Sequence, residues 1–350
     1  MTTLSIHGTD FYLDGVPSYQ GRTWQGHRIE GLLFNSRMIQ GIFDDSCAET
    51  RGHWAYPDTG IWDPERNVSE FIAALPAYRR HGLLGVTVGL QGGGSIYTAG
   101  IYDQYHASAF ADDGSLDPAW INRLDRVLAA ADAQGMVVIV SYFYFRHARH
   151  LGDAAVRAGV VNATEHLMAT GRKNLIIEIC NESQLFKSMP LLRPDGVHAM
   201  IALAQEACAR TIPVMASTVG GPSLPEPAWM RTEDLHAPHG NGLTPAQLTD
   251  KLARLKADPI YQANPKPILI NEDSIIAANM DAAIACGASW GYYSQGMGSD
   301  YQDLTNWKQP REARCDDLSG YQTLPVNWGI NTDEKRAFFQ HVAAVTGADV

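Results

Sequence analysis

The sequence has no apolar run near the ~20 residues that a membrane-spanning helix requires. Its first seven residues, Met1 to His7, lack the basic and apolar blocks of a secretory leader, so a cytoplasmic location is expected. Cys47, Cys180, Cys208, Cys286 and Cys315 are scattered, odd in number and free of CxxC spacing. That pattern speaks for reduced thiols and against a disulfide framework or a zinc module. Positive charge is also scarce: 27 Lys and Arg against 38 Asp and Glu leave a net charge of −11. So acidic a chain repels phosphate backbones and anionic lipid, and neither nucleic-acid nor membrane partners are expected. No Pro/Ser linker, short repeat or low-complexity tract divides the chain, which reads as one domain over residues 1–350.

What the chain does have is material for a large core and a regular rhythm. Across 350 residues, 45% are hydrophobic and 19% charged, which excludes wholesale disorder. An Asp14-Gly15 step between extended residues signals an opening hairpin lying over one end of the domain. Short apolar runs then alternate with amphipathic stretches. Expected strands are Gly31–Arg37, Leu83–Leu90, Met136–Tyr142, Asn174–Cys180, Ile212–Ser217, Asp234–Ala237, Pro267–Asn271 and Ala288–Tyr293. Between them lie helices over Asn67–His81, Pro118–Gln134, Asp153–Thr170, Pro194–Arg210, a weak segment around Trp229, Thr244–Lys256 and Ile275–Cys286, with Thr332–Thr346 closing the chain. Runs that are apolar on both faces suit parallel strands covered by helices, and about eight strand–helix units fit a (β/α)8 TIM barrel. The alternative, a doubly wound open sheet, would want a glycine fingerprint after the first strand, and Phe34-Asn-Ser-Arg-Met38 offers none.

In such a barrel, chemistry sits where strands end. Two expected strands end in glutamate: the fourth at Asn181-Glu182 and the seventh at Asn271-Glu272. A glutamate is a poor strand former and costly to bury, so two of them closing facing strands point to a purpose. The plain alternative is that a strand tip lies near water, where a glutamate is cheap; the sharper reading is a carboxylate pair for glycosidic bond cleavage. A gap of ~5–5.5 Å lets one group attack while the other protonates, and a gap of ~6.5–9.5 Å leaves room for water and inversion. The 8 Trp and 14 Tyr suit a sugar partner, since flat rings stack on sugar faces.

Asn181-Glu182 closing strand four, the run Ile176-Ile-Glu-Ile-Cys-Asn-Glu182 and a lone glutamate closing strand seven resemble the clan GH-A glycoside hydrolases, in particular the cellulase-like family 5 group. The resemblance implies a retaining hydrolase of β-linked glycosides, with Glu182 as acid/base and Glu272 as nucleophile. It further implies Asn181 on the sugar 2-hydroxyl, Trp290 as an aromatic floor and His239 near the nucleophile. Two departures stand: Ser183 follows Asn-Glu where proline is common, and the block Gly31–Asp45 matches no pattern that would fix a substrate.

Further candidates lie at other strand ends. Arg37 closes strand one, where it would hold Glu272 ionised or else pair with Asp44 or Asp45. Gln91 closes strand two, where an amide would bind hydroxyls. After strand three, either Tyr142, Tyr144 and Arg146 or Phe143, Phe145 and His147 face the mouth, and Tyr144 and His147 are carried forward. Glu178 shares parity with Glu182 one layer deeper and reads as support. His147, His150, His236 and His239 raise the question of a metal, but no paired histidines occur on strand one, so neither metal nor cofactor is expected. Gly92-Gly-Gly94 lacks the Lys-Ser/Thr of a phosphate loop and reads as a rim loop. The long segment 294–331, with Tyr301, Trp307, Tyr321 and Trp328, reads as a lid or cleft wall or as a loop packed on its own rings, and Trp54 and Trp62 invite the same two readings. A non-catalytic carbohydrate-binding barrel and a metal-dependent hydrolase are the competing functions. Sugar, linkage and oligomeric state are left open by the sequence.

Overall fold

The computed structural model describes residues 1–92, 104–294, 320–322 and 324–350. Eight parallel segments, each followed by a helix, form the ring of a (β/α)8 barrel. The strands are β1 (Asn35–Arg37), β2 (Gly85–Gly89), β3 (Val137–Tyr144), β4 (Leu175–Asn181) and β5 (Val214–Met215, continued by Ser217–Thr218). They continue with β6 (Ala237–Pro238), β7 (residues 268–269) and β8 (Gly291–Tyr292). One six-stranded parallel sheet carries β5-β4-β3-β2-β1-β8. The rest of the circuit is thin. Ser217–Thr218 pairs with β6, and single bridges join His236 to Ile268 and Leu269 to Ser289. No unbroken ladder crosses that side.

The helices are α1 (Pro64–Arg80), α2 (Pro118–Ala133), α3 (Asp153–Ala169), α4 (Val197–Ala207), α5 (Pro227–Thr232), α6 (Pro245–Ala257), α7 (Ala277–Ala285) and α8 (Asp333–Thr346). Several of them start on side-chain caps, and α1 begins three residues before the expected Asn67. Asp63 and Asp117 accept the first free N–H groups of α1 and α2, each ahead of a proline, and Thr244 and Gln247 form a reciprocal capping box on α6. The expected strands were too long in several places. Residues before Asn35 and around Ile268 are buried and apolar without being paired over their whole length, because burial, not ladder pairing, selects apolar residues there. Helix α4 is likewise shorter than its apolar pattern at both ends.

Leu4–His7, Asp10–Leu13 and Val16–Pro17 form an antiparallel three-stranded flap, and Asp14 and Gly15 turn its second hairpin at φ 53° and 80°. Leu4 and Phe11 from this flap pack with Leu33, Leu84, Ile139, Ile176, Met215 and Leu269 in a cluster of their own, separate from the helix-facing core. The flap therefore plugs the amino-terminal mouth and leaves the carboxyl mouth for chemistry. Along β1 the inward residues change character as the mouth is approached, from Leu33 to Asn35 to Arg37. Among the described residues, Cys47, Cys180, Cys208 and Cys286 are free, and no helix is long and apolar enough to cross a membrane.

Candidate active site

Glu182 follows β4 directly, and its backbone is left-handed at φ 56°, ψ 65°. That conformation is uncommon for a non-glycine residue and is found where surrounding structure holds it. Here Ser217 Oγ accepts the Glu182 N–H at 3.0 Å. Glu272 follows β7, with its side chain almost wholly buried. The two glutamates and His239 each bring one oxygen or ring nitrogen within 4.8 Å of the others. His239 Nδ1 lies 3.4 Å from Glu182 Oε1 and 3.8 Å from Glu272 Oε2, while its Nε2 faces Asn271 Oδ1 at 3.1 Å. Sequence reasoning thus brought Glu182, Glu272, Asn181, Arg37 and His239 to one place, and the structure gathers all five.

The charges are arranged unequally. Arg37 Nε sits 2.6 Å from Glu272 Oε2, its Nη2 donates to Asn181 Oδ1 at 2.8 Å, and its Nη1 lies 3.5 Å from Glu178 Oε2. It does not turn to Asp44 or Asp45: Asp44 pairs with Arg51, and Asp45 accepts from Thr50 and from the Trp54 indole. Burial works against the charge of Arg37, but Glu272 and Glu178, with Tyr293 and Glu182, outweigh it and keep the guanidinium firmly protonated. Burial lifts the Glu272 carboxyl above its ordinary value. Arg37, His239 and the amide of Asn241 at 2.7 Å pull the other way, and the nearby Glu182 adds to the rise. Burial also opposes ionisation of Glu178, yet Arg37, His239, Ser141 and Ser217 together bring it below the usual range. With Asn271 Nδ2 donating to it at 3.1 Å, Glu178 is the support beneath the site that its parity predicted.

The group Glu182–His239–Glu272 is also where a cation would have to sit to touch all three, but a cation is already present in the guanidinium against Glu272. His236 is bound away from the mouth, its Nδ1 2.6 Å from the buried Glu233, which also takes the Trp229 indole.

Trp290 requires a correction. It does not floor the mouth: its indole donates to Asp273 and its ring packs toward Phe338 of α8, fully buried. Tyr292, two residues on, stacks on the same Phe338 with centroids 3.9 Å apart. Both rings therefore face outward, and alternation turns Ser289, Gly291 and Tyr293 inward. The phenol of Tyr293 lies close enough to Arg37 to act on its charge. Tyr293 was missed, and the alternation of small residues with large ones in Ser289-Trp-Gly-Tyr-Tyr293 was the signal that could have found it. Asn241 was missed for a different reason: it sits in a loop after β6, where no periodicity reports direction.

Gln91, Tyr144 and His147 lie together at the carboxyl ends of β2 and β3, where Tyr144 pairs with Asn181 of β4. The Gln91 amide donates to Ser108 Oγ at 2.9 Å and to the His147 carbonyl at 3.3 Å, and its oxygen accepts from the Tyr144 N–H at 3.2 Å. Gln91 thus ties the end of β2 to the end of β3, a different use of its amide from the hydroxyl binding expected. Tyr144 lies over Gly92, whose φ is +91° and where an added Cβ would come within 2.7 Å of the ring. His147 Nδ1 accepts the Ala107 N–H at 3.4 Å, and burial, aided by Arg146 and two neighbouring histidines, holds the imidazole neutral. Trp54, Trp62, Tyr321 and Trp328 are buried among aromatic neighbours, so packing is what the structure gives them. Gly93, Gly94, Tyr301, Trp307 and Cys315 lie outside the described residues.

No protein-family model matches the sequence, and no curated protein matches it. Solved structures do. The exo-β-1,4-mannosidase Op5Man5 from Opitutaceae bacterium strain TAV5 aligns with 95% of this chain at TM-score 0.54 and 14% identity. The chain spans 62% of that protein's length. A glycoside hydrolase family 5 mannosidase from Rhizomucor miehei aligns over 99% of this chain and 98% of its own, at TM-score 0.54 and 10% identity. A broad-specificity endoglucanase of the same family from Clostridium longisporum aligns over 90% and 97%, at TM-score 0.57 and 10% identity. The chain has the fold of the family 5 glycoside hydrolase barrels.

Proposed function

We propose that this chain is a retaining glycoside hydrolase acting on a β-linked glycoside. One observation carries the reading: glutamates that end β4 and β7, distant in sequence, bring carboxyl oxygens within 4.8 Å of each other in the carboxyl mouth. A nearest-oxygen gap of this size favours the close pair, ~5–5.5 Å between groups, that suits direct attack. The likeness to mannosidase and endoglucanase barrels supports the same class of chemistry and a carbohydrate as partner.

The hydrogen bonds divide the roles. Glu272 receives Arg37 Nε at 2.6 Å and Asn241 Nδ2 at 2.7 Å, donors that favour a carboxylate. Among the described residues, Glu182 receives longer approaches at 3.4 Å, from His239 and the Gly220 N–H, and it keeps partial access to solvent. Arg37 and Asn241 thus oppose the burial that raises Glu272 and favour the ionised form direct attack needs, which leaves Glu182 as the group to carry the proton to the leaving oxygen. In the first step Glu272 attacks the anomeric carbon, the bond to the leaving oxygen breaks, and the Glu182 proton passes to that oxygen. In the second, Glu182 takes a proton from water as the water oxygen displaces Glu272 from the sugar, and retention results. Asn181, held by Arg37, is placed to receive a sugar hydroxyl, and Tyr293 replaces Trp290 as the strand-eight ring facing the substrate.

A panel of aryl β-glycosides, with the first-formed anomer read by NMR, tests this. Glu272→Ala is expected to lose at least ~1,000-fold in kcat and to recover part of it with azide. Inversion at the anomeric carbon, or undiminished turnover in the Glu182→Ala, Glu272→Ala double variant, would sink the assignment.

A further inference from the structure

Lys251 lies on α6, outside the ring of strands, and its side chain is buried with the ammonium turned toward the carboxyl mouth. The ammonium donates to the His239 carbonyl at 2.7 Å and reaches the Val219 carbonyl and Thr218 Oγ1 at 3.5 Å. Two of these acceptors belong to peptides that carry site geometry. His239 projects its ring between the two catalytic carboxylates. The Val219 carbonyl and the Gly220 N–H are the two ends of one peptide group, and that N–H points at Glu182 Oε1 from 3.4 Å. A donor on the carbonyl end polarises the N–H end and fixes its direction.

A buried lysine whose acceptors are neutral oxygens is expensive in its charged form, and a neutral donor could fill the same space. What distinguishes this position is the charge that faces it. Glu182 and Asp273 favour the ammonium, and Arg254 on the same helix opposes it. We propose that Lys251 is a positioning residue whose positive charge, applied through the 219–220 peptide and the His239 carbonyl, aims Glu182 and His239. The kinetic consequence rests on the hydrolase reading above; the geometric one does not. Burial, the largest influence, pulls the Lys251 amine down to about 7, so the device would change state near neutral pH.

The test has two arms. In the wild-type chain, the amide resonance of Gly220 is followed by NMR from pH 6 to 9; it is expected to shift with the Lys251 ammonium and to lose that shift in Lys251→Met and Lys251→Gln. A Gly220 amide that stays flat across this range in folded wild-type protein overturns the proposal, whether or not either variant folds. In the second arm, the Met variant is expected to lose about tenfold in kcat and to move the alkaline limb of kcat/KM by about one pH unit. Lys251→Arg, which keeps the charge at every pH, should match wild type at about pH 6 and lose the part of the alkaline limb that deprotonation of Lys251 contributes. A limb unmoved in Lys251→Met also overturns the proposal. Failure of the wild-type chain to cleave any glycoside would remove the hydrolase reading and leave the Gly220 arm to decide the role of Lys251.

Discussion

At its amino-terminal mouth the barrel is filled by Leu4 and Phe11 of the flap against Leu33, Ile139, Ile176 and Leu269; at its carboxyl mouth the same strands present Arg37, Glu178, Asn181 and Glu272. A few residues along β1 separate the two chemistries. The lower end gains stability simply by excluding water from apolar surface, and it needs no particular partner at any one atom. The upper end holds two buried glutamates on a single guanidinium, and each group there is tolerable only while its partners stay. Stability at one end is therefore diffuse, and at the other it is tied to a few named bonds.

Removing the shared cation is the sharpest way to break that contrast. Arg37→Met would leave Glu272 and Glu178 facing each other and Asn181 unsupported, an expected loss of ~3–5 kcal/mol in urea unfolding at neutral pH. Part of the loss should return at acid pH, where the orphaned carboxyls take up protons. A variant as stable as wild type at pH 7 would mean that Arg37 is not what holds the pair. At the other mouth, Phe11→Ala deletes a ring from a closed apolar cluster and is expected to lose about 3–4 kcal/mol. Its kcat per folded molecule and its pH profile should not change, since nothing it touches reaches the upper layer. If they do change, the two ends are not independent.

The same division explains what was legible in the sequence. Strand–helix alternation is a local signal and carried the barrel and most of its helices, although the first helix starts at Pro64, behind its Asp63 cap, and not at Asn67 as expected. Glu182 and Glu272 were visible because a carboxylate closing an apolar run conflicts with its surroundings, and such conflicts mark sites. The thin pairing from β5 to β8 was not visible: apolar composition reports burial, and burial there does not require a ladder. Trp290 was misread because the resemblance supplied a residue type at a strand end, while the direction of the ring depends on a parity that Gly291 and Tyr292 settle. Lys251 carried no sequence signal at all, because a lysine on an amphipathic helix normally lies in water.

A pH series sharpens the comparison further. Burial pushes the Asp273 carboxyl up to about 6, against donors from Trp290, Asn279 and Ser274. A carboxyl raised on folding favours the native state while it is protonated. Its contribution is complete below its ordinary value of 3.8 and is lost as pH rises through about 6. In wild-type protein this group should therefore erode stability by roughly 2–3 kcal/mol between about pH 4 and 6. Asp273→Asn should remove that decline from the difference between the two unfolding curves, whatever other carboxyls contribute to both. Lys251 acts over a separate window: with its amine at about 7 when folded and 10.5 when free, it favours the native state increasingly as pH rises between those values. Parallel curves for wild type and Asp273→Asn from pH 4 to 6 would place the cost of ionisation elsewhere in the upper mouth.

The smallest effect is expected where charge appears at the lower end. Arg28 Nη2 lies 2.7 Å from Asp10 Oδ2 and 2.8 Å from Glu30 Oε1, which by distance alone equals the bonding of Arg37. The difference is water. The Arg28 side chain is 53% exposed where Arg37 is 2% exposed, so solvent and salt screen the first pair and not the second. Arg28→Ala should accordingly lose no more than ~1 kcal/mol at low ionic strength and less in molar salt. Asp10 and Glu30 can rehydrate when the guanidinium is gone, an option that Glu178 and Glu272 do not have. A loss above 2 kcal/mol that persists in salt would show that the flap, too, is fastened by specific charge, and the contrast between the two mouths would fail.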